Sequence, residues 1–304
     1  MATLERLRVY PIKGLSGIDV ESARILEGGT LAHDREFALF DADGEVINGK
    51  RTDRVHDLSV EFDPGTAVVT VEDTATGEDT ATGGGSKRFD LDDETDRDRA
   101  ERWFGSVFDL EVALERDRSL GYVDRREMGP SVVSTATLET LASWFEDMTV
   151  ESARRRLRAN VEISGVPAFF EDRFVGEDAP ALSVGDVRIE GVTPCGRCVV
   201  PQRDPDSGEE TPDFRERFLE KRRETFPSWA DPDAFDHYYT LMIIGAIPES
   251  DRGGKLSVGD PVAVVDESGT EVGVDGAEDG DGSEDGDGSE DGDEDEDRSA
   301  RTHR

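Results

Sequence analysis

Apolar residues in this chain come in short bursts, and the punctuation between bursts is that of a β protein. Leu4, Leu7 and Val9 precede Pro11, and Ala23, Ile25 and Leu26 follow a glycine-containing turn. Glu36 to Phe40 alternates and ends at Asp43-Gly44, a hairpin signal, before Glu45-Val46-Ile47. Residues 55–62 and 67–72 supply further strands, and residues 75–86, rich in Gly and Thr, read as a mobile hairpin tip. A helix is expected over 97–108, with Ala100, Trp103, Phe104, Val107 and Phe108 on one face. A second unit begins near Asp124. It has an apolar run at 130–134 and a helix marked by Leu138, Leu141, Ala142, Phe145 and Met148, with Ser134, Thr135 or Thr137 as its cap. A strand follows at 161–163, a hairpin over 182–192 turning at Gly185-Asp186, and a helix over 214–225. A strand at 238–247 and a closing segment at 256–265 complete it. The fold class is mixed α+β and β-rich, with units at 1–123 and 124–268 and a disordered acidic tail over 269–304, where a Gly-Ser-Glu-Asp-Gly-Asp motif repeats.

Charge limits what such a chain can associate with. Asp and Glu number 72 against 35 Lys and Arg, a net charge of -37, and only 35% of residues are hydrophobic. A body this acidic repels itself at low salt and needs screening to stay compact. We read it as adapted to a high-salt cytoplasm, a halophilic composition; a basic partner held on a negative face is the alternative. Nucleic acid is excluded because phosphate is repelled by most of this surface. No apolar stretch is long enough to span a membrane, and the amino terminus lacks the apolar run of a signal peptide, so a cytoplasmic location is expected.

Both cysteines lie together, Cys195 and Cys198, in Thr193-Pro194-Cys195-Gly196-Arg197-Cys198, and an Asp204-Pro205-Asp206-Ser207-Gly208 turn follows. Three prolines forbid a long helix here. A structural zinc site wants four ligands, and none of the four histidines is placed to complete one. A thiol redox pair normally opens a helix, whereas Val199, Val200 and Pro201 look extended. Two buried small hydrophobes is the plainest alternative. Arg197, between the cysteines, favours a thiolate, as a soft metal carried on an anionic cofactor requires. Lys13 in a Pro11–Gly14 turn, Arg35 after Asp34, and Arg158 and Asn160 at a strand entrance would suit an anion bearing a phosphate, with Ser134 at a helix start adding donors. Taken singly, each is also an ordinary surface charge or cap.

In order and spacing these segments resemble the MOSC family, named for the carboxyl-terminal domain of molybdenum cofactor sulfurases. The branch they resemble holds amidoxime-reducing components and YcbX-type reductases. Leu7 to Gly14 is similar to its amino-terminal "YP-V-K-S/G" turn, and Asp34-Arg35 through Arg51 to its "DR-x-W" and "G-x-x-x-T-x-R" stretch. Ser134 to Leu138 is similar to "S-x-x-S-L", Arg158 to Val161 to "R-P-N-I/V", the cysteine segment to "C-x-R-C" and "D-P-D-T-G", and Val258 to Val262 to "VGDPV". The resemblance implies an amino-terminal β-barrel-like domain packed on a MOSC β-barrel, with a molybdopterin cofactor between them. It implies Cys198 as the metal ligand and catalytic residue, with Cys195 beside it, and Lys13, Arg35, Ser134, Arg158, Asn160 and Arg197 as cofactor-binding. Pyridoxal phosphate binding is a further association of the wider family. Gly14 stands where some relatives have Ser, Phe37 near a usual Trp, and Gly196 where some have a polar residue. The chemistry implied is two-electron reduction of N-hydroxylated or other N-oxygenated small molecules. An iron–sulfur cluster needs four cysteines, so electrons are expected from a separate protein such as a ferredoxin or flavoprotein. A cofactor carrier or sulfur-transfer protein is the alternative function.

Overall fold

The computed structural model describes residues 1–74, 85–266 and 269–272. The first half runs β1 (Thr3–Val9), β2 (Ile12–Lys13), β3 (Ile18–Asp19), β4 (Ser22–Arg24), β5 (Phe37–Phe40), β6 (Leu58–Asp63), β7 (Val68–Asp73), β8 (Gly85–Asp90), helix α1 (Glu94–Phe108) and β9 (Ala113–Arg116). The second half runs β10 (Ser131–Ser134), α2 (Thr135–Ser143), α3 (Val150–Leu157), β11 (Val161–Ser164), β12 (Ala181–Val184), β13 (Val187–Gly196), α4 (Phe214–Glu224), β14 (Thr240–Ala246), β15 (Lys255–Ser257) and β16 (Val262–Val265).

Alternation decides the first half. Leu58, Val60 and Phe62 of β6 point inward while the residues between them are exposed. The antiparallel β6-β7-β8 meander and the β2-β5-β9 sheet share a core with α1. That helix starts three residues before the expected point because Asp93 caps it, accepting from Asp96 N. Residues 53–57 form a 3-10 turn capped by Thr52 instead of the expected strand start at Val55. Most of the expected hairpin tip, residues 75–84, lies outside the described residues.

The second half is built around a sheet in the order β16-β12-β13-β14-β10-β11-β1-β3. Its β10–β11 pair is parallel, as a crossover through α2 and α3 requires. The sheet recruits β1 from the far amino end, antiparallel to β11. It closes on its other side as well: Thr3 bridges Pro261, Leu4 N donates to Asp260 O at 2.8 Å, and Gly259 N donates to Leu4 O. Leu4, Leu7 and Ile25 therefore share one core with Val132, Ile163, Leu182 and Ile243. The sequence stretch before 124 thus contributes a strand to the second barrel as well as building its own.

Three further expectations are corrected. The helix read as far as Met148 ends at Ser143, and a separate helix, α3, starts at Val150, where Thr149 caps it by accepting from Ser152 N. The stretch after Cys198 is a 3-10 turn over Val200–Gln202, not an extended segment. Residues 269–272 fold back rather than opening the tail: Val272 N donates to Val264 O, and Val265 bridges Glu271. Residues 273–304 lie outside the described residues. Among the described residues no helix is long and apolar enough to cross a membrane.

Candidate functional site

The cysteine segment leaves β13 and is held from one side by α3. The last turn of that helix is Arg154-Arg155-Arg156-Leu157, capped by Arg158 in the left-handed conformation. Arg155 donates to Pro205 O (2.8 Å) and pairs with Asp206, while Arg156 donates to Pro201 O (2.9 Å) and to Asp204 (3.2 Å). Asp204 in turn accepts from the backbone amides of Asp206 and Ser207, so it is the turn former that its Asp-Pro-Asp context predicts. Burial opposes its ionisation, but those amides and Arg156 outweigh it and hold Asp204 below the usual carboxylate range.

The two thiols are free and differently employed. Arg197 Nη1 donates to Cys195 Sγ at 3.2 Å and its Nη2 donates to Leu157 O at 2.9 Å. Cys198 is half-buried; its carbonyl accepts from Tyr239 Oη at 3.3 Å. Its sulfur makes no hydrogen bond among the described residues. No three His, Cys, Asp or Glu side chains of the described residues are grouped to hold a metal. A metal at Cys198 would therefore have to arrive with most of its ligands already on it.

Around Tyr10 the structure brings together two of the expected cations. Arg158 lies 4.1 Å and Arg35 5.0 Å from the centre of its ring. Arg35 pairs with the buried Asp34, which also accepts from Tyr10 N at 2.9 Å. Arg158 donates to Leu15 O at 2.8 Å and, like Arg197, is in no ion pair among the described residues. Burial lowers its pKa to about 10, with Arg35 adding to the shift and Tyr10 opposing it, so it stays cationic at neutral pH. Lys13 pairs with Asp124 at 2.6 Å. Burial pushes the Asp124 carboxyl up, but Lys13, with Lys50 and Arg35 near by, leaves it lowered overall.

Two expected residues are elsewhere or otherwise engaged. Ser134 is fully buried as the cap of α2, bonded to Thr137. Asn160 is 4% exposed; it accepts from Ser131 N and Oγ and donates to Arg8 O, tying β1, β10 and β11 together. Both hold the scaffold. The sequence did not single out His56: its buried Nε2 has no partner among the described residues, it lies against Gly208, and a Cβ on Gly49 would come within 3.5 Å of its ring. Burial first, then Arg203 and Arg158, lower its pKa and keep it neutral. A lone histidine carries no spacing signal, so only the fold reveals it. Gly14 explains its own departure, since at φ 91° a Cβ would sit 2.8 Å from Ile47 O.

These residues fit an anionic group bearing a soft metal. Arg158 and Arg197, the latter with an orphaned Nε, are partly buried cations in a strongly acidic chain, and Cys198, next in sequence to Arg197, is an unengaged thiol. Two closed or partly closed β units with such a site define the class. The first 110 residues match the MOSC N-terminal beta barrel domain and residues 126–263 match the MOSC domain. The chain belongs to the MOSC family. It is 23% identical over 296 residues to mitochondrial amidoxime reducing component 2 of Bos taurus, covering 86% of this chain and 83% of that protein. The human counterpart is 21% identical, with the same coverage. Mitochondrial amidoxime-reducing component 1 of Mus musculus is 32% identical over 133 residues, 43% of this chain and 35% of that protein. The YUAD protein of Bacillus subtilis aligns with 86% of this chain and 93% of its own at a TM-score of 0.35 and 11% identity, too distant to add to the argument.

Proposed function

We propose that this chain binds molybdopterin with Cys198 as the protein ligand to molybdenum, and reduces N-hydroxylated or other N-oxygenated compounds with electrons from a separate donor protein. The observation that carries the reading is an unengaged thiol, Cys198, next in sequence to Arg197, whose guanidinium donates to Leu157 O, one residue before Arg158; neither arginine has a carboxylate partner among the described residues of a chain of net charge -37. The names of the amidoxime-reducing relatives support the reaction class.

Forked guanidinium donors at Arg35 and Arg158, with Lys13 as a point charge, would hold the anionic end of the cofactor. Arg197 keeps Cys195 occupied and leaves Cys198 as the available sulfur. Arg155 and Arg156 fix the loop that carries both. Bound there, the cofactor would supply two-electron chemistry. The net reaction breaks one N–O bond: the substrate takes two electrons and two protons, one proton going to the nitrogen of a hydroxylamine-type group and the other to its hydroxyl, which leaves as water. Ser134 and Asn160 enter this account as scaffold. Lys13 would exchange its pairing with Asp124 for the cofactor, and pyridoxal phosphate is not part of the proposal.

An accessible, unengaged Cys198 would equally suit a carrier that passes on the cofactor or a sulfur atom. Turnover separates the two. Cofactor-loaded protein given reduced methyl viologen and an aromatic amidoxime should form the amidine, one for each electron pair. Loaded protein that forms no amidine would leave the carrier reading.

A further inference from the structure

We infer that the segment 123–128, between β9 and β10, is a strap that closes the anion site, with the Asp124 carboxylate holding Lys13 until the anionic end of the cofactor displaces it; this rests on the cofactor reading above. Lys13 Nζ donates to Asp124 Oδ1 at 2.6 Å, and Asp124 is the only acid that Lys13 pairs with among the described residues. Burial opposes the charge on Asp124, while Lys13, Lys50 and Arg35 favour it. A carboxylate of the chain itself thus sits among cations that suit a phosphate, and stands in for one.

The strap is fixed at both ends and little held between them. At its start Tyr122 N donates to the carbonyl of Arg35 itself at 2.7 Å, and the Tyr122 ring meets that of Phe40 edge-on at 5.5 Å. Gly121 before it fits closely, since a Cβ there would lie 2.5 Å from Asp34 O. At its end Gly129 N donates to Gly245 O at 2.6 Å, and Gly245 N donates to Pro130 O at 3.0 Å. Between these anchors the backbone of residues 123–127 makes one hydrogen bond among the described residues, Arg125 O accepting from Met128 N inside the strap. Asp124, Arg125, Arg126 and Glu127 are all exposed. Two ion pairs tie them to the body: Lys13 with Asp124, and a longer one of 3.6 Å between Arg126 and Asp117. Exposed pairs contribute little and exchange readily, and a segment with so few backbone bonds opens at low cost. An incoming phosphate brings Lys13 more charge than one carboxylate does, and it also meets Arg158, which has no carboxylate to give up among the described residues.

The test uses the full chain without cofactor at about 0.15 M salt, with pyrophosphate as the probe. Calorimetry compares wild type, Asp124→Asn and Glu127→Gln; the last removes the same charge from the strap at a residue in no ion pair among the described residues. Asp124→Asn should bind pyrophosphate about three- to tenfold more tightly than wild type, because binding no longer has to open the strap. Glu127→Gln should stay within about twofold of wild type. Trypsin reads the strap directly, since Arg125 and Arg126 are exposed cleavage sites. Cleavage after these arginines should be several-fold faster in Asp124→Asn than in wild type, and pyrophosphate should raise it in wild type alone. With pyrophosphate bound, equal affinity of wild type and Asp124→Asn, equal cleavage of the two, or no added cleavage of wild type overturns the strap and leaves the anion site standing. No binding by either protein rejects the anion site, and the strap and the cofactor reading with it.

Discussion

Arg197 breaks the symmetry of the cysteine pair by giving Cys195 a partner and leaving Cys198 without one. That distinction was legible in the sequence only through family likeness, because Cys-Gly-Arg-Cys by itself treats both sulfurs alike. Arg158 was legible as a cation near a strand, but its lack of a carboxylate partner and its place over Tyr10 depend on contacts far apart in the chain. We expect Arg158→Ala to weaken pyrophosphate binding by the apo protein about tenfold or more, read by calorimetry, since a charge-assisted hydrogen bond is lost. Glu171 is fully buried, with one oxygen accepting from Ser134 N and the other unpartnered. Burial, with Asp172 beside it, pushes its pKa from 4.5 up to about 8. A raised carboxyl pKa means that the folded state holds a proton the unfolded chain releases, so stability is lost as pH rises from about 4.5 toward 8. Glu171→Gln should therefore melt progressively higher than wild type across that range and alike below it; a pH-independent difference would contradict the assignment.

At the scale of elements, the alternation of β6 and the helical period of α1 were readable because each is a local pattern facing one core. The split between α2 and α3 was not: Met148 continues the apolar period, while the Thr149 cap that restarts the helix is a single hydroxyl. The recruitment of β1 into the second barrel was also hidden, since Leu4, Leu7 and Val9 show that a strand exists and not which strand it joins. Asn160 and Ser134 looked like ligands for the same reason, as their sequence neighbours do not reveal the hydrogen bonds that occupy them. Arg156 links α3 to the cysteine loop from a buried position. Its guanidinium is buried and donates to Pro201 O and Asp204. Arg156→Ala should cost about 1–3 kcal/mol in urea unfolding and speed proteolysis within residues 199–208. Unchanged cleavage would mean that the loop is held without it.

For the whole molecule, the acid excess dominates. The segment 271–304 holds 15 acids and 3 arginines, so the other 270 residues still carry about two thirds of the net charge. Self-repulsion on that scale falls as salt rises. The melting temperature should climb steadily between 0.1 and 2 M potassium chloride, and a flat or falling profile would contradict the high-salt reading. The central claim is that one cysteine of the pair holds a metal brought by an anionic cofactor. It is tested most directly by molybdenum and pterin analysis of wild type, Cys195→Ala and Cys198→Ala, purified in high salt from a host that makes the cofactor. We expect near-stoichiometric metal in wild type and Cys195→Ala and none in Cys198→Ala. Equal loss in both variants, or wild-type protein without metal or pterin, would contradict it.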